Sequence, residues 1–321
     1  MNSKFLCPEA LEIQSSLLYP DSGLIVCDAR IKELYPDFFA ANQAPTCLIA
    51  AGEDAKNLNT VQSLYQFFLR NSLGRSDMVH VFGGGTICDL AAYAVSTYKR
   101  GCRLQLYPST LLAMVDAAIG GKTGINFHNL KNHIGSFYPA ERVILHKAFL
   151  QTLAPDELRQ GMAEMLKAHM LFEELPLPDF TGTEIPDEED LLAHALYKMS
   201  VCQEDPFDKG PRMLLNFGHS FGHALESHSA YRIKHGDAVA AGMNMACDFS
   251  LQMNFIDRQQ YNARKETLKL YPYPAELLDY MQSIGFEELY PYLIQDKKNG
   301  ANLRLILPVG AEIKLVELNE V

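Results

Sequence analysis

The 321-residue chain is predicted to combine an α/β amino-terminal half with a mainly α-helical carboxy-terminal half. Strand-like runs alternate with amphipathic helical patterns between residues 20 and about 150, and the strand signal fades after that point. Hydrophobic residues make up 48% of the chain and charged residues 21%, which is typical of globular proteins and suffices for a sizeable core. Alternating strands and helices imply a mostly parallel sheet with right-handed crossovers, so we expect an α/β domain over 1–150 and a helical domain over 151–321.

Five short β-rich runs are the predicted strands of the first half. They span residues 24–27, 47–51, 78–82, 103–107 and 143–146. Between them, segment 59–70 places Val61, Leu64 and Phe68 at helical spacing, which predicts an amphipathic helix.

Long helical patterns dominate the second half. They cover residues 155–167, 190–201, 215–228 and 238–253. Segment 173–190 contains three prolines and an acidic end, so we expect a solvated loop there. Residues 302–308 alternate in the manner of a strand and predict one late β-element.

The charge balance excludes some classes of partner. The chain has 28 Lys and Arg against 39 Asp and Glu, and this formal charge of -11 would repel a polyphosphate backbone, so nucleic-acid binding is not expected. No apolar run approaches the ~20 residues that span a bilayer, and the first residues contain no extended apolar segment. We therefore expect a cytoplasmic protein without membrane contact. Seven widely spaced cysteines without a Cys-x-x-Cys pair predict reduced packing residues.

A glycine run follows the predicted strand at 78–82. Gly83, Gly84 and Gly85 precede a helix-like segment, and such a turn lets a phosphate approach the backbone and the open N–H groups of a helix N-terminus. Cys88 stands where the dinucleotide fingerprint has its third glycine. A tight structural turn is therefore the alternative interpretation.

A second glycine-rich turn, 120–123, contains Lys122. The phosphate loop of ATPases needs a glycine where this chain has Asp116, so that class is excluded. A lysine on a glycine-rich turn nevertheless remains a good ligand for an anion.

The histidines cluster in the second half. Four of the ten lie between residues 219 and 235, and His219 and His223 are one helical turn apart, so their rings project from one face. His235 opens the next segment, where a chain reversal could return it to His219. Glu164 lies in an apolar helical stretch with Lys167 one turn further on, and a buried carboxylate needs a paired or bound cation. Two imidazoles and one carboxylate suit a catalytic divalent metal, most simply zinc, and ordinary core or surface histidines are the alternative.

Several motifs in a fixed order resemble the 3-dehydroquinate synthase family of sugar phosphate cyclases. The resemblance runs from Asp28 to Lys298. Its motifs are Gly52-Glu53-x-x-Lys56, Gly83-Gly84-Gly85 with Asp89, Pro108-Ser109-Thr110-Leu111-Leu112, Asp116, Gly120-Gly121-Lys122-Thr123-Gly124-Ile125-Asn126, Lys131-Asn132-x-Ile134-Gly135, and Leu215-Asn216-Phe217-Gly218-His219-Ser220-Phe221-Gly222-His223. The resemblance implies a Rossmann-like amino-terminal domain, NAD⁺ as cofactor and a homodimer.

The resemblance also implies roles for individual residues. The metal ligands would be Glu164, His219 and His235, which would hold Zn²⁺ or, alternatively, Co²⁺. The residues implied in NAD⁺ binding are Asp28, Glu53, Lys56, Gly83, Gly84, Gly85, Asp89, Ser109, Thr110, Lys122, Lys131, Phe149, Thr152 and Leu153. The implied catalytic and substrate-binding residues are Asp116, Lys122, Asn132, Lys167, Lys198, Arg212, Asn216, His223, Lys297 or its neighbour Lys298, and Arg100, which would reach the neighbouring subunit.

The implied reaction belongs to the shikimate pathway of aromatic amino-acid biosynthesis. An anionic sugar-acid phosphate, 3-deoxy-D-arabino-heptulosonate 7-phosphate, is oxidised transiently at C5 by NAD⁺, loses phosphate, is reduced again and closes to 3-dehydroquinate by an internal aldol step. This chemistry makes the expected enzyme a carbon-oxygen lyase. Three other classes stay open: a related cyclase acting on sedoheptulose 7-phosphate, a metal-dependent polyol dehydrogenase, and a non-enzymatic metal- or nucleotide-binding protein.

Four positions depart from the family pattern. Cys88 and Ala92 replace glycines, Ser109 replaces a threonine and Asp208 replaces a glutamate. The Cys88 side chain is expected near the pyrophosphate, where it would affect cofactor affinity more than chemistry.

Overall fold

Two structural units form the chain in the computed structural model, which describes residues 10–14, 22–40, 43–128, 130–180, 185–295 and 303–318. The first unit contains the described residues up to Leu158 together with 187–207, and the second contains the remainder. The sequence predicts a division at residue 150, which would assign 187–207 to the second half. This segment is mostly a helix whose packing partners lie far away in the sequence, and a helical pattern does not indicate the unit to which a helix belongs.

A parallel sheet forms the centre of the first unit. The described strands of this unit are β1 (Ala10–Ile13), β2 (Leu24–Asp28), β3 (Thr46–Ile49), β4 (Met78–Gly83), β5 (Arg103–Pro108), β6 (Lys122–Phe127), β7 (Leu130–Phe137) and β8 (Arg142–Leu145). Six of them form the parallel sheet in the order β1-β8-β5-β4-β2-β3, and β6 and β7 form a separate antiparallel hairpin. The five predicted strands are confirmed, whereas the sequence patterns predict neither β1 nor the hairpin.

Helices are distributed over both units. The described α-helices are α1 (Ala29–Leu34), α2 (Pro36–Ala40), α3 (Leu58–Arg70), α4 (Gly85–Thr97), α5 (Ala148–Gln151), α6 (Pro155–Leu171), α7 (Glu188–Glu204), α8 (His219–His228), α9 (His235–Gln252), α10 (Arg258–Leu268), α11 (Ala275–Ser283) and α12 (Phe286–Gln295). The predicted fold class, an α/β amino-terminal part followed by a helical part, is confirmed.

The strand order places the first site of interest. The chain runs from β2 outward to β3 and then crosses back to β4 on the other side of β2. Ligands of open α/β sheets bind at the carboxyl ends of the strands where the order reverses in this way. The expected crevice therefore lies beyond the ends of β2 and β4, at Asp28 and Gly83.

Burial explains why the central strands are continuous apolar runs. Four consecutive residues of β2, Leu24 to Cys27, are at most 5% exposed, so side chains on both faces of the sheet are covered. Parallel sheets packed by helices on both faces show this pattern. Phe82 of β4 stacks on Tyr107 of β5 with the ring centroids 4.1 Å apart, which ties the two strands together.

The second unit packs α8 tightly against α9. A Cβ atom at Gly242 would lie 2.0 Å from the carbonyl oxygen of Gly218, so only glycine permits this approach. Gly218 has φ of +79° and separates the 3-10 helix Pro211–Asn216 from α8. The single helix predicted over 215–228 is therefore wrong at its start, because the left-handed residue breaks it.

A hairpin and several short segments complete the second unit. β9 (Leu303–Val309) pairs antiparallel with β10 (Glu312–Leu318), so the one predicted late strand is confirmed and its partner is an addition. The predicted loop 173–190 has no helix or strand in its described residues before α7 begins. Leu175 is nevertheless buried and Phe180 packs against the core, so this segment is only partly solvated.

The structure also describes the cysteines and the apolar character of the helices. The cysteines in the described part of the chain are all free and most are buried, as expected of reduced packing residues. Across the described ranges, no helix is both long enough and apolar enough to cross a bilayer.

A buried histidine lies within the sheet of the first unit. His80 Nε2 lies 3.0 Å from the carbonyl oxygen of Ser22, and Tyr107 Oη, which accepts a hydrogen bond from Gln105, lies 3.5 Å from His80 Nδ1. Burial lowers the pKa of His80 to about 4, so the ring is neutral at neutral pH.

We expect His80→Gln to remove a pH-dependent part of the stability. The pKa of His80 is about 4 in the folded chain, against an ordinary value of 6.5, so between these values only the unfolded chain takes up a proton and stability falls as pH falls. Between about pH 7.5 and about pH 5.5, the free energy of unfolding of the wild type should therefore fall by about 1 kcal/mol more than that of the variant. Urea unfolding measures this difference, with exposed His128→Gln as the control. Equal pH dependence in wild type and His80→Gln would contradict the assignment.

Candidate active site

A cleft of about 410 Å³ opens at the carboxyl ends of β2, β4 and β5 in the first unit. Its volume lies within the range of roughly 300–1,000 Å³ that is typical of small-molecule sites. The predicted cofactor residues that line it are Asp28, Gly84, Gly85, Ser109, Thr110, Phe149, Thr152 and Leu153. Arg30 and Glu157 also line it and were not predicted.

Asp28 ends β2 and caps α1. Its Oδ1 accepts a hydrogen bond of 2.9 Å from the backbone N–H of Arg30. Burial raises the pKa of Asp28, against the lowering effect of that hydrogen bond. The carboxylate is thus fixed in the cleft lining, where a carboxylate at the end of such a strand can accept hydrogen bonds from a ribose.

The first turn of α4 forms another part of the lining. Gly84 is the N-cap residue and no side chain caps the helix. Gly84, Gly85 and Thr86 all line the cleft. An uncapped helix N-terminus offers backbone N–H donors and the positive end of the helix dipole, which favours an anionic group.

Cys88 is a core residue. Its side chain is 1% exposed, it is absent from the cleft lining, and its thiol donates a hydrogen bond of 3.5 Å to the carbonyl oxygen of Gly83. Burial holds the pKa of this thiol above its usual range. The expectation that Cys88 lies near a bound pyrophosphate is therefore wrong, because this position of α4 packs inward.

A polar network joins the remaining predicted cofactor residues to the β6–β7 hairpin. The Lys56 ammonium donates to Asp89 at 2.7 Å and to the side-chain oxygen of Asn132. Asn126 donates to Glu53 at 2.8 Å and accepts from the backbone N–H of Asn132 at 2.9 Å. Burial raises the pKa of Asp89 to about 6, although Lys56 lowers it. In this structure Glu53, Lys56 and Asp89 brace the hairpin and do not line the cleft.

Among the other predicted site residues of the first unit, two form an ion pair and three are exposed. Lys198 of α7 forms an ion pair of 2.5 Å with Asp116, which lies in a π-helical turn. Lys122 begins β6 and Lys131 lies in β7, and both are exposed. Arg100 is exposed and has a left-handed backbone, with φ of +63°.

The three predicted metal ligands converge in the second unit. His219 Nε2 lies 3.5 Å and His235 Nε2 lies 3.7 Å from Glu164 Oε1, and one ligand atom from each residue lies within 4.8 Å of the others. Ligand atoms about 2.1 Å from a tetrahedral metal are ~3.4 Å apart, so these separations fit a divalent ion. Both carboxylate oxygens of Glu164 are buried; Oε2 is paired with the Lys167 ammonium, and Oε1 faces the two imidazoles. Such a carboxylate is expected to bind a cation, and the three residues therefore fit a metal.

The electrostatics favour metal binding at two of these three residues, Glu164 and His219. Burial raises the pKa of Glu164, but the adjacent Lys167 ammonium and the two imidazoles outweigh it and hold that pKa well below its usual range. Burial and Lys167 hold the pKa of His219 well below its usual range. Burial lowers the pKa of His235, but Glu164 and Glu226 outweigh this effect and raise it to about 9. The site therefore holds an ionised carboxylate and a neutral His219, which are the ligand forms that bind metals. His235 is protonated near neutral pH in the metal-free site and would lose its Nε2 proton when a metal binds.

Contacts between α6 and α9 set the position of the histidine that begins α9. The side-chain oxygen of Gln160 accepts a hydrogen bond of 2.6 Å from the backbone N–H of Gly236. Arg159 donates two hydrogen bonds to Asp237, at 2.9 and 3.1 Å, and Tyr271 donates to the same carboxylate at 2.6 Å. These contacts fix the start of α9 against the helix that carries Glu164.

The other predicted residues of the second unit surround this group to different degrees. Arg212 lies in the 3-10 helix before α8 and is 2% exposed. Asn216 is exposed and donates a hydrogen bond to a backbone carbonyl of the same turn. The His223 ring is exposed, with its centroid 5.5 Å from that of His219. Lys297 and Lys298 lie outside the described residues.

Sequence reasoning missed several residues that support these sites. Glu226 could have been found, because it is three residues after His223 and therefore shares its helix face. Asn126 lies inside a quoted motif but has no role until the hairpin is seen. The Arg159–Asp237 pair has no sequence signal, because its members are 78 residues apart.

Family models match both halves of the chain. The model described as "3-dehydroquinate synthase N-terminal" matches residues 46–160, and "3-dehydroquinate synthase C-terminal" matches residues 161–299. A 3-dehydroquinate synthase of Bartonella tribocorum is 37% identical over 308 residues, which cover 89% of this chain and 81% of the relative. These matches confirm the resemblance that the motifs indicate.

Two solved structures of related cyclases share the fold. The 2-epi-5-epi-valiolone synthase of Streptomyces hygroscopicus subsp. jinggangensis 5008, with NAD⁺ and Zn²⁺ bound, has a TM-score of 0.79 and 26% identity, over 97% of this chain and 92% of that chain. A 2-deoxy-scyllo-inosose synthase, complexed with carbaglucose-6-phosphate, NAD⁺ and Co²⁺, has a TM-score of 0.78 at 24% identity, over 99% and 89% of the two chains. The second likeness is one of fold alone.

We expect His219→Ala to abolish tight divalent-metal binding. The change removes one of two imidazoles, so the loss of Zn²⁺ affinity should exceed the ~10–100-fold typical of changes to residues that only support a ligand. Competition with a chromophoric chelator measures the affinity without any turnover, and His128→Ala, at an exposed position of the first unit, is the control. Unchanged Zn²⁺ affinity in a folded His219→Ala variant would show that the three residues hold no metal.

Proposed function

This chain belongs to the 3-dehydroquinate synthase family, and we propose that it converts 3-deoxy-D-arabino-heptulosonate 7-phosphate to 3-dehydroquinate and phosphate. The observation that carries the proposal is the convergence of Glu164, His219 and His235 in a chain whose first unit has a nucleotide-type cleft. A site with two imidazoles and one carboxylate leaves coordination positions open for substrate oxygens.

The proposed cofactors are NAD⁺ and a divalent metal, with Zn²⁺ first and Co²⁺ as the alternative. When bound, the metal supplies Lewis acidity toward the alcohol to be oxidised, and NAD⁺ supplies a reversible hydride acceptor. The valiolone synthase structure, which contains NAD⁺ and Zn²⁺, supports this pair. Asp28 and the uncapped start of α4 would hold the ribose and the pyrophosphate of NAD⁺.

His223 is the proposed proton carrier of the second unit. It is one helical turn from His219 and is exposed, so solvent and substrate can reach it. An imidazole both accepts and donates protons near neutral pH, as phosphate elimination and ring closure require. Lys167 lies beside the metal-binding carboxylate and would add positive charge where the alcohol loses its proton.

The remaining basic and amide side chains are proposed to bind the two anionic ends of the substrate. Arginine binds a carboxylate or a phosphate with paired hydrogen bonds, and lysine acts as a point charge. The proposed set is Lys122, Asn132 and Lys198 in the first unit, Arg212 and Asn216 in the second, and Lys297. Asp116 would orient Lys198, with which it is paired. In the proposed cytoplasmic homodimer, Arg100 would act at the active site of the neighbouring subunit.

The reaction itself is the first test of the proposal. We expect the purified chain with NAD⁺ and Zn²⁺ to release phosphate from 3-deoxy-D-arabino-heptulosonate 7-phosphate without accumulating NADH, because the hydride is returned to the intermediate. A colorimetric phosphate assay, absorbance of NADH and identification of the product by NMR measure this, with His219→Ala as the inactive control.

The same assay separates the alternatives. Phosphate release from sedoheptulose 7-phosphate in place of the heptulosonate would identify a related cyclase. Net NADH production from glycerol-like alcohols would identify a polyol dehydrogenase. Binding of NAD⁺ and Zn²⁺ without phosphate release from either sugar would contradict an enzymatic role in this chemistry.

We expect Asp28→Ser to weaken NAD⁺ binding by about tenfold and to reduce the preference for NAD⁺ over NADP⁺. The variant loses a charge-assisted hydrogen bond to the ribose but also loses the charge that repels a 2′-phosphate, while Arg30 stays in the lining. Serine is also a good N-cap, so α1 should be retained. Isothermal titration with both nucleotides measures the change, with exposed Asp54→Ser as the control. An unchanged ratio of the two affinities would exclude Asp28 from the ribose site.

A further inference from the structure

We propose that Glu226 is a positioning residue that holds His235 in the orientation required for metal binding. The inference rests on the proposed metal site of Glu164, His219 and His235. It assigns a role to a buried carboxylate that neither the motifs nor the proposed reaction uses.

The two ring nitrogens of His235 lie near two different carboxylates. His235 Nε2 lies 3.7 Å from Glu164 Oε1, on the side of the other metal ligands. His235 Nδ1 lies 3.5 Å from Glu226 Oε2. A neutral imidazole has one N–H, so a proton on Nδ1 directed at Glu226 leaves the lone pair of Nε2 for the metal.

This arrangement matches a common way of supporting a metal ligand. A histidine that binds a metal through one nitrogen usually donates the other N–H to a carboxylate or a carbonyl, which fixes the tautomer and raises the basicity of the ligand. The side chain of Glu226 is 7% exposed and that of His235 is 37% exposed. Glu226 is therefore the more buried member of the pair.

The backbone around Glu226 is itself anchored. Its carbonyl oxygen accepts hydrogen bonds from the backbone N–H of Tyr231 at 2.7 Å and from the Ser229 hydroxyl at 3.0 Å. These contacts close the end of α8. The middle of α8 packs closely on the start of α9, because a Cβ atom at Gly222 would lie 2.9 Å from the carbonyl oxygen of Ala238. The end of α8 and the start of α9 are thus held in a fixed relation, so Glu226 can set the ring orientation of His235.

Glu226 also lies near His223, so it could instead support proton transfer by His223. Ligand atoms of His223, Glu226 and His235 lie within 4.8 Å of one another. If Glu226 served mainly His223, its removal would change proton transfer and leave metal affinity unchanged. Metal affinity therefore separates the two roles.

The test uses the full-length chain, first freed of metal and then titrated with Zn²⁺ and Co²⁺ in competition with a chromophoric chelator. Glu226→Ala removes both the charge and the acceptor, and we expect Zn²⁺ affinity to fall by ~10–100-fold. Glu226→Gln keeps an acceptor for the Nδ1 proton, so its affinity should lie between those of Glu226→Ala and the wild type. Glu276→Ala, at an exposed position of α11, is the matched control.

A second readout covers the case in which Glu226→Ala does not fold. The visible absorption bands of bound Co²⁺ report the ligand set and its geometry, and we expect Glu226→Gln to shift them relative to the wild type. Co²⁺ bands and Zn²⁺ affinity in Glu226→Gln that match the wild type would overturn the proposal, even if turnover fell. A wild-type chain that bound neither metal would refute the proposed metal site itself, and the positioning role of Glu226 with it.

Discussion

The buried carboxylate of Glu164 is the constraint on which the second unit depends. Removing an ionised carboxylate from water costs several kcal/mol unless positive charge or hydrogen-bond donors replace the lost hydration. The Lys167 ammonium pairs with Oε2, and the two imidazoles lie near Oε1. The ionised form is thus maintained by this ion pair and by the neighbouring imidazoles, and a divalent cation beside Oε1 would complete such an environment. The apolar character of α6 around this residue is what makes the demand for a cation strong.

Holding three ligands within a few ångströms requires three helices to keep a fixed relation. The close approach at Gly242 brings α9 onto α8, and the Arg159–Asp237 pair and Gln160 attach the start of α9 to α6. Each of these contacts involves the backbone or a buried ion pair, so it resists sliding of one helix past another. The three candidate metal ligands are therefore brought together by the protein itself. A prearranged set of ligands loses less conformational entropy when it binds.

Much of the fold and part of the candidate metal group could be predicted from local patterns. The strands of the central sheet are buried on both faces and appear as continuous apolar runs, and His219 and His223 follow the helical period. The errors arise where a distant contact decides. Gly218, against which α9 packs, interrupts the helix predicted over 215–228. The hairpin β6–β7 shows no clear alternation of apolar and polar residues because most of β7 is exposed. The salt bridge between Arg159 and Asp237 depends on tertiary structure, which the helical period does not report.

In the first unit, the residues expected to bind cofactor and those expected to bind substrate share one hydrogen-bond network. Asn132 is exposed and has a left-handed backbone with φ of +53°, a conformation that asparagine tolerates but that needs support to persist. The side-chain oxygen of Asn126 accepts a hydrogen bond from the backbone N–H of Asn132, and the Lys56 ammonium donates one to the side-chain oxygen of Asn132. Both contacts support this conformation. Both supporting groups are tied to the turn that begins at Glu53. Each such hydrogen bond contributes about 1 kcal/mol to stability. The turn that the motifs associate with the nucleotide therefore helps to hold Asn132 in its left-handed conformation. The residues proposed for cofactor binding and for substrate binding are therefore physically linked within this unit through Lys56 and Asn126.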